Sequence, residues 1–253
     1  MTDLSDTTER AAIDREFLKP SKRRPHYLER ISIFKALQEV RHQVKSGIIL
    51  DVGCGMKPYE SILNTSGSAY YGTDYPITMK GSYGESTKAD FFSDSTLLPF
   101  KKNTFDTLLS TQVLEHVSDP KKVIQEMGRV LKPGGIIIIS APMTWPLHEE
   151  PYDFFRYTLH GLRYLMQKSN FDILDEIPRG NNLSTTAQMF LDTQLENISQ
   201  SFPQRIYSIV LSLAVNQICS VINLFKPAKR LCLGWVIVAK KCPSKKYSPT
   251  NIN

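Results

Sequence analysis

The chain has four cysteines and uses none of them in a recognisable chemical pattern. Cys54, Cys219, Cys232 and Cys242 contain no C-x-x-C pair and no histidine neighbours at metal-ligand spacing. A disulfide framework and a zinc site are therefore not expected, no bound metal is expected, and a reducing cytoplasm fits. The opening stretch MTDLSDTTERAAIDREF lacks the basic start and apolar run of a secretory signal, so none is expected. Internal repeats and low-complexity segments are also missing. With 253 residues, 41% hydrophobic and 22% charged, the composition is that of a soluble globular protein, either one large domain or one domain with an insertion.

Acidic residues are missing from the C-terminal part. After Glu196 there is no Asp or Glu, whereas Arg205, Lys226, Lys229, Arg230, Lys240, Lys241, Lys245 and Lys246 follow, so the net charge of +6 belongs to that part. Such asymmetry marks an anionic partner, membrane surface or nucleic acid, unless it is a solvated basic tail. Charge of either sign is absent from Ile206 to Phe225. There Ser208, Ser212, Asn216, Ser220 and Asn223 recur at steps of four or three, a narrow polar stripe on a mostly apolar helix. A membrane span needs about twenty predominantly apolar residues, and the polar groups argue against one. A helix lying on a membrane through 205–230, or covering a lipid-linked substrate, would set its basic flanks against anionic head groups. A buried lid helix or a homodimer interface is the leading reading, because a helix apolar on most faces must be covered.

What is present is an alternation of strands and helices. Residues 1–25 read as a flexible leader with a basic knot at 19–25. A helix follows over 26–45, where Leu28, Ile31, Phe34, Leu37 and Val40 recur every three or four residues. Strands are predicted at 48–52, 69–73, near 86–91, 105–110, 136–140, 171–177 and 234–239, and helices at 120–131 and 159–169. The class is α/β, with a mostly parallel sheet and helices on both faces. A helical insertion at 180–230 precedes the last strand, and a flexible basic tail occupies 243–253.

The first strand ends in IILDVGCG, residues 48–55. An apolar run stops at Asp51, and Gly53 and Gly55 flank Cys54. Glycine admits positive φ and close approach of a ligand, and the C-terminal end of a strand is where open α/β sheets bind ligands. A nicotinamide cofactor would want G-x-G-x-x-G, but Tyr59 stands at the third position, which is wrong for close helix packing. Asp74 closes the second strand about twenty residues after the glycine turn, the place of a ribose-binding acid in related nucleotide sites, or is a turn aspartate before Tyr75-Pro76.

Taken in order, Asp51-Val52-Gly53-Cys54-Gly55, Tyr71-Gly72-Thr73-Asp74, Ala89-Asp90 with Leu98-Pro99-Phe100 and Phe105-Asp106, Val113-Leu114-Glu115-His116-Val117 and Leu131-Lys132-Pro133-Gly134-Gly135 resemble a class I S-adenosylmethionine-dependent methyltransferase. The branch is the one that includes ubiquinone-biosynthesis methyltransferases, and the match covers residues 45–145. More loosely, LHEEPYDFFRY at 147–157 resembles a subgroup found in polysaccharide and glycolipid gene clusters. The resemblance implies a Rossmann-like, doubly wound sheet of seven strands over 26–253. It implies that S-adenosylmethionine is held by Asp51, Gly53, Cys54 and Gly55 at the methionine end, by Asp74 and Tyr75 at the ribose, and by Asp90 and Phe91 at the adenine. Gln112 and Val113 would line the methionine pocket beside His116. Phe91 packed in the core and His116 as a structural helix-start residue are the alternatives.

Methyl transfer to oxygen needs alignment and usually a general base. His148 and Glu149, after the fifth strand, are the candidate catalytic residues. Glu150, Asp153, Arg156 and Tyr157 are candidate acceptor contacts, with Arg156 suited to a phosphate or carboxylate. The same loop would alternatively be held by its own ion pairs. The acceptor expected is a small molecule, a sugar or a lipid-linked glycan, met in the cytoplasm or at the inner face of the membrane. The alternatives are a cofactor-binding scaffold without turnover and an RNA or protein methyltransferase. DNA is not expected, since no Asn/Asp-Pro-Pro-aromatic motif is present.

Overall fold

The computed structural model describes residues 11–64, 67–75, 87–195, 201–225 and 228–243. Seven strands form one sheet: β1 (Ile48–Val52), β2 (Ala69–Asp74), β3 (Phe91–Phe92), β4 (Phe105–Thr111), β5 (Leu131–Pro142), β6 (Phe171–Arg179) and β7 (Gly234–Lys241), in the order β3-β2-β1-β4-β5-β7-β6. The pairs among the first five are parallel, and β7 runs antiparallel to both β5 and β6. The longer helices are α1 (Tyr27–Val40), α2 (Pro120–Val130), α3 (Leu159–Lys168), α4 (Asn182–Leu195) and α5 (Phe202–Ile222), and a single helical turn spans Glu60–Leu63. This is the Rossmann-like, doubly wound arrangement expected.

The pleat of the strands explains the two layers of core. Successive side chains point to opposite faces, so a strand covered on both sides reads as a continuous apolar run. On β5, Ile137 and Ile139 join Leu50, Val52 and Leu108 against Val123, Ile124 and Met127 of α2 and Leu162 of α3. Their neighbours Ile136 and Ile138 join Ile49 and Val238 against Ile33, Leu37 and Val40 of α1. The start of α2 is fixed by Asp119, whose side chain accepts from Lys122 N at 3.0 Å, with proline in the first turn. Thr158 does the same for α3 by accepting from Gly161 N at 3.1 Å.

Several expectations are corrected. The third strand is only Phe91–Phe92: of the stretch predicted near 86–91, Ser86 lies outside the described residues and 87–90 are irregular, although Asp90 N still reaches Gly72 O at 2.9 Å. Of the leader, residues 1–10 lie outside the described residues, but 11–25 are built into the fold. A helical turn spans Asp14–Leu18, Leu18 is buried with α1, and Arg30 sits over the Phe17 ring at 4.0 Å. Lys132-Pro133-Gly134-Gly135 does stop α2, but it lies inside β5, whose register slips between Phe105 and Thr107 of β4. The apolar segment expected first as a buried lid helix or a homodimer interface is α5; most of its apolar side chains are exposed in the single chain, which does not fit a buried lid. Residues 244–253 of the tail lie outside the described residues, while Lys240 and Lys241 belong to β7. The four cysteines form no disulfide and are buried.

Candidate active site

The residues singled out in the sequence meet at the C-terminal ends of β1, β2, β4 and β5, the ligand-binding edge of such sheets. The turn after β1 is built by its neighbours. Gly53 adopts φ +73°, and a Cβ there would run into the Val113 side chain. Gly55 adopts φ +48°, and a Cβ there would meet nothing within 4 Å. The two glycines thus serve different ends. The first lets Val113 pack against the turn, and the second leaves open space over the backbone. Cys54 is buried below, against Gly72.

Asp51 is 1% exposed and accepts from Tyr70 Oη at 2.7 Å through Oδ2. Its Oδ1 is buried without a hydrogen-bond partner. Burial raises its pKa to about 7, against the opposing pull of the Tyr70 hydroxyl. Asp74 shapes the glycine turn: Oδ2 accepts from Gly55 N at 3.0 Å and from Thr87 Oγ1 at 3.3 Å, and Oδ1 accepts from Tyr75 N at 2.8 Å. Asp90 is held by Lys57 and by Gly72 N at 2.7 Å, both on Oδ2. Burial opposes its ionised form, but the Lys57 ammonium and the Gly72 N–H outweigh it and hold the carboxyl below its usual range. Lys57 was not singled out in the sequence, where nothing distinguishes it from a surface lysine; it is 7% exposed. Phe91 is 40% exposed and stands in an aromatic row, 5.9 Å from Tyr71 and 5.2 Å from Phe100 by ring centroids. Tyr75, directly after β2, is exposed.

After β4 the chain turns through Gln112 at φ +56°, an uncommon conformation for a residue with a side chain. Two bonds to Ser140 hold it, N to O at 2.9 Å and Nε2 to Oγ at 3.1 Å. Ser140 Oγ also accepts from Arg179 Nη1 at 3.2 Å, and Arg179 Nη2 pairs with Glu29 of α1 at 3.0 Å. Arg179 is 1% exposed, so it forms a buried cross-brace under the site. Glu115 is fully buried with neither carboxylate oxygen hydrogen-bonded, and burial raises its pKa to about 8.

The loop after β5 is fastened to the turn after β4. Tyr157 Oη donates to Leu114 O at 2.8 Å, Phe154 N donates to Glu115 O at 2.8 Å, and His116 Nδ1 lies 2.9 Å from Tyr152 O. Within the loop Asp153 takes a bidentate pair from Arg156, at 2.6 and 2.7 Å, and accepts from His148 N at 3.0 Å. The guanidinium also reaches the carbonyls of Trp145, Pro146 and Phe155. Arg156 and Tyr157, expected at the acceptor, therefore have their polar groups committed to the loop, and the side chain of Asp153 is 1% exposed. Pairing with Arg156 holds the Asp153 carboxyl down to about 2. Glu150 is exposed, and Glu149 is held at φ +54° with Oε2 3.8 Å from His116 Nε2.

His148 Nδ1 faces Pro146 O at 3.1 Å and Asp153 Oδ2 at 3.3 Å. An Nδ1–H fits both, which leaves Nε2 as the basic nitrogen. His116 is oriented alike by Tyr152 O, and the two rings meet edge to face at 4.7 Å. With Glu115 these histidines form a group whose donor atoms all lie within 4.8 Å of one another, close enough to be drawn around a divalent ion. Sequence spacing gave no hint of it, because the donors come from loops on different strands.

Residues 50–139 match the family model described as a methyltransferase domain. Over this segment the chain is similar to methyltransferase domains. Relatives of the chain include an uncharacterized methyltransferase of Mycobacterium leprae (strain Br4923), 34% identical over 97 residues, and a demethylmenaquinone methyltransferase of Renibacterium salmoninarum, 33% identical over 94 residues. The alignments cover 37% and 36% of this chain and 36% and 40% of those proteins, so the chain spans well under half the length of the curated relatives it matches. A SAM dependent methyltransferase from Archaeoglobus fulgidus shares the fold, with TM-score 0.53, 14% identity, and coverage of 91% of this chain and 98% of that one. The site fits S-adenosylmethionine on two observations. The orphaned Asp51 Oδ1 offers a buried acceptor where an ammonium would neutralise it, and the space over Gly55 admits a ligand against the backbone.

Proposed function

We propose that this protein transfers a methyl group from S-adenosylmethionine to an oxygen of a small-molecule, sugar or lipid-linked glycan acceptor. The observation that carries the choice of oxygen is the His148–Asp153 pair. A carboxylate fixes the imidazole from the Nδ1 side, and Nε2 has no hydrogen-bond partner among the described residues. When bound, the cofactor supplies an activated methyl on a sulfonium, so the chain has only to bind, orient and take up a proton.

In this reading Asp51 and the backbone of Gly53 to Gly55 hold the amino-acid end. Asp74 meets the ribose hydroxyls, Asp90 Oδ1 accepts from the adenine amino group, and Gln112 and Val113 wall the methyl end. His148 Nε2 removes the acceptor's proton, and Asp153 stabilises the imidazolium that results. Arg156 is a positioning residue, because it acts through Asp153. Glu149 and Glu150, at the rim of the loop, meet the acceptor. The reading places the enzyme in the cytoplasm, at the inner face of the membrane when the acceptor is lipid-linked, and in a polysaccharide or glycolipid setting.

Calorimetric titration of the full chain with S-adenosylmethionine and S-adenosylhomocysteine tests the first half. Micromolar binding that Asp74→Ala abolishes is expected. Absence of binding by folded wild type would overturn the methyl-transfer reading, whereas binding without turnover on any acceptor would leave a cofactor-binding scaffold. Turnover assays on nucleotide sugars and membrane extracts test the second half, and methylation found only on RNA or protein would overturn the acceptor class.

A further inference from the structure

A helix on the surface of a soluble domain buries its apolar stripe and shows its polar one. Helix α5 does the reverse. Ser212 and Asn216 are 0% exposed, whereas Phe202, Val210, Ile218, Val221, Leu224 and Phe225 are between 53% and 81% exposed. Within Phe202–Phe225 the mean hydropathy over an 18-residue window reaches 1.8, and only 17% of that window is buried. Of the inward polar stripe, Asn216 is in use, while Ser212 Oγ is buried without a hydrogen-bond partner. Asn216 Nδ2 donates to Lys22 O at 2.9 Å and to Arg24 O at 3.2 Å, and Lys22 Nζ donates to Gln217 Oε1 at 2.8 Å. The apolar side is therefore not exposed for want of a better orientation; the inward-facing polar groups fix it outward.

These bonds also bring the basic knot alongside the helix. Arg23 and Arg24 at the leader, Arg205 at one end of α5, and Lys229 and Arg230 beyond the other end are exposed. No acidic residue follows Glu196 in the sequence. We propose that α5 and the segment Lys22–Arg24 dock flat on an anionic phospholipid surface. The apolar side chains enter the head-group boundary and the cations meet lipid phosphates. A second copy of the chain fits less well. Pairing two α5 helices about a two-fold axis would set cationic ends near cationic ends, with no carboxylate on either helix or its following segment to offset them. A span is excluded by the same bonds that orient the helix, since its buried polar stripe is fastened to the leader. The proposal does not rest on methyl transfer.

The test is co-sedimentation of the full chain with vesicles of phosphatidylcholine alone, or of phosphatidylcholine and phosphatidylglycerol in equal parts. Binding to the anionic vesicles, weakened by salt, is expected to exceed binding to the neutral ones at least tenfold, since several cations meet the charged surface together. Val210→Ser with Ile218→Ser, and separately Arg205→Gln with Arg230→Gln, should each lower it about tenfold or more. Phe202→Trp should show emission quenched by brominated lipid. Far-ultraviolet circular dichroism checks that each variant is folded. No partition by folded wild type, or equal partition to both vesicle types, would overturn the proposal. So would a concentration-dependent dimer that Val210→Ser with Ile218→Ser dissociates, which would make a second copy the occupant.

Discussion

Asp153 Oδ2 contacts His148 twice, accepting its backbone N–H at 3.0 Å and lying 3.3 Å from its Nδ1. One carboxylate thus fixes both where the imidazole stands and which nitrogen faces outward. His148→Ala is expected to lower kcat roughly 10²- to 10⁴-fold, the usual contribution of a general base, with cofactor affinity nearly unchanged. Asp153→Asn should lower kcat less and shift the pH–rate profile, because the ring keeps its place but loses its counter-charge. Wild-type turnover in the alanine variant would remove His148 from the mechanism. Single-turnover kinetics and calorimetry supply both numbers.

The paired histidines admit a second chemistry, and a chelator separates the two. If Nε2 acts as a base, dialysis against EDTA leaves turnover unchanged. Loss of turnover restored by a divalent ion, together with loss of metal binding in His116→Ala, would assign Glu115, His116 and His148 to a metal instead.

Two buried acids set the pH dependence of the ligand-free protein. The pKa of Asp51 is raised to about 7 and that of Glu115 to about 8, from ordinary values near 4. Between those limits the folded state holds protons that the unfolded chain has released, so stability falls as pH rises from about 4 to about 8. Asp51→Asn and Glu115→Gln should each flatten part of that slope in denaturant titrations at several pH values. Asp153 has the opposite sign. With its pKa held down to about 2, its contribution is present above the ordinary carboxylate range and is lost as pH falls toward 2.

Gly53 combines a positive φ with the packing of Val113. Gly53→Ala is expected to destabilise by more than the ~1 kcal/mol that a left-handed alanine costs. Val113→Ala in the same chain should recover the part due to crowding and leave the backbone part. Full recovery, or none, would show that one of the two causes acts alone. Thermal unfolding of the four proteins of that cycle decides it.

In the cofactor site, Asp74→Ala has two expected effects: loss of a ribose acceptor and loss of the partner of Gly55 N. Asp74→Asn keeps an acceptor, so it should retain more affinity than alanine. Equal loss in both would assign the effect to charge. Calorimetry with S-adenosylhomocysteine makes the comparison.

The sheet was legible because its strands are apolar runs that end at glycine, aspartate or proline, and α2 because Val123, Ile124, Met127 and Val130 repeat at helical steps. The edge strand Phe91–Phe92 was not, since an outer strand this short has almost no pattern to show. The glycine turn and the aspartates were legible by residue type. Their partners were not: Lys57 reaches Asp90, and Glu29 reaches Arg179 across 150 positions, through folded geometry alone. The stripe on α5 was visible as a period, but a period does not say which side faces inward. That was set by the carbonyls of Lys22 and Arg24, which no helical pattern contains.

The strand order carries a consequence in time. β7, the last strand to be synthesised, lies between β5 and β6, so β6 has no hydrogen-bonded neighbour in the sheet until residues 234–241 have left the ribosome. The first five strands can assemble beforehand. Arg179, at the far end of β6, is aligned with Ser140 only once β7 slots in, opposite Gly234. The nascent chain therefore can form the half of the sheet that carries Asp51, Asp74 and Asp90 first, and completes the brace beneath the His148 loop only after β7 has emerged.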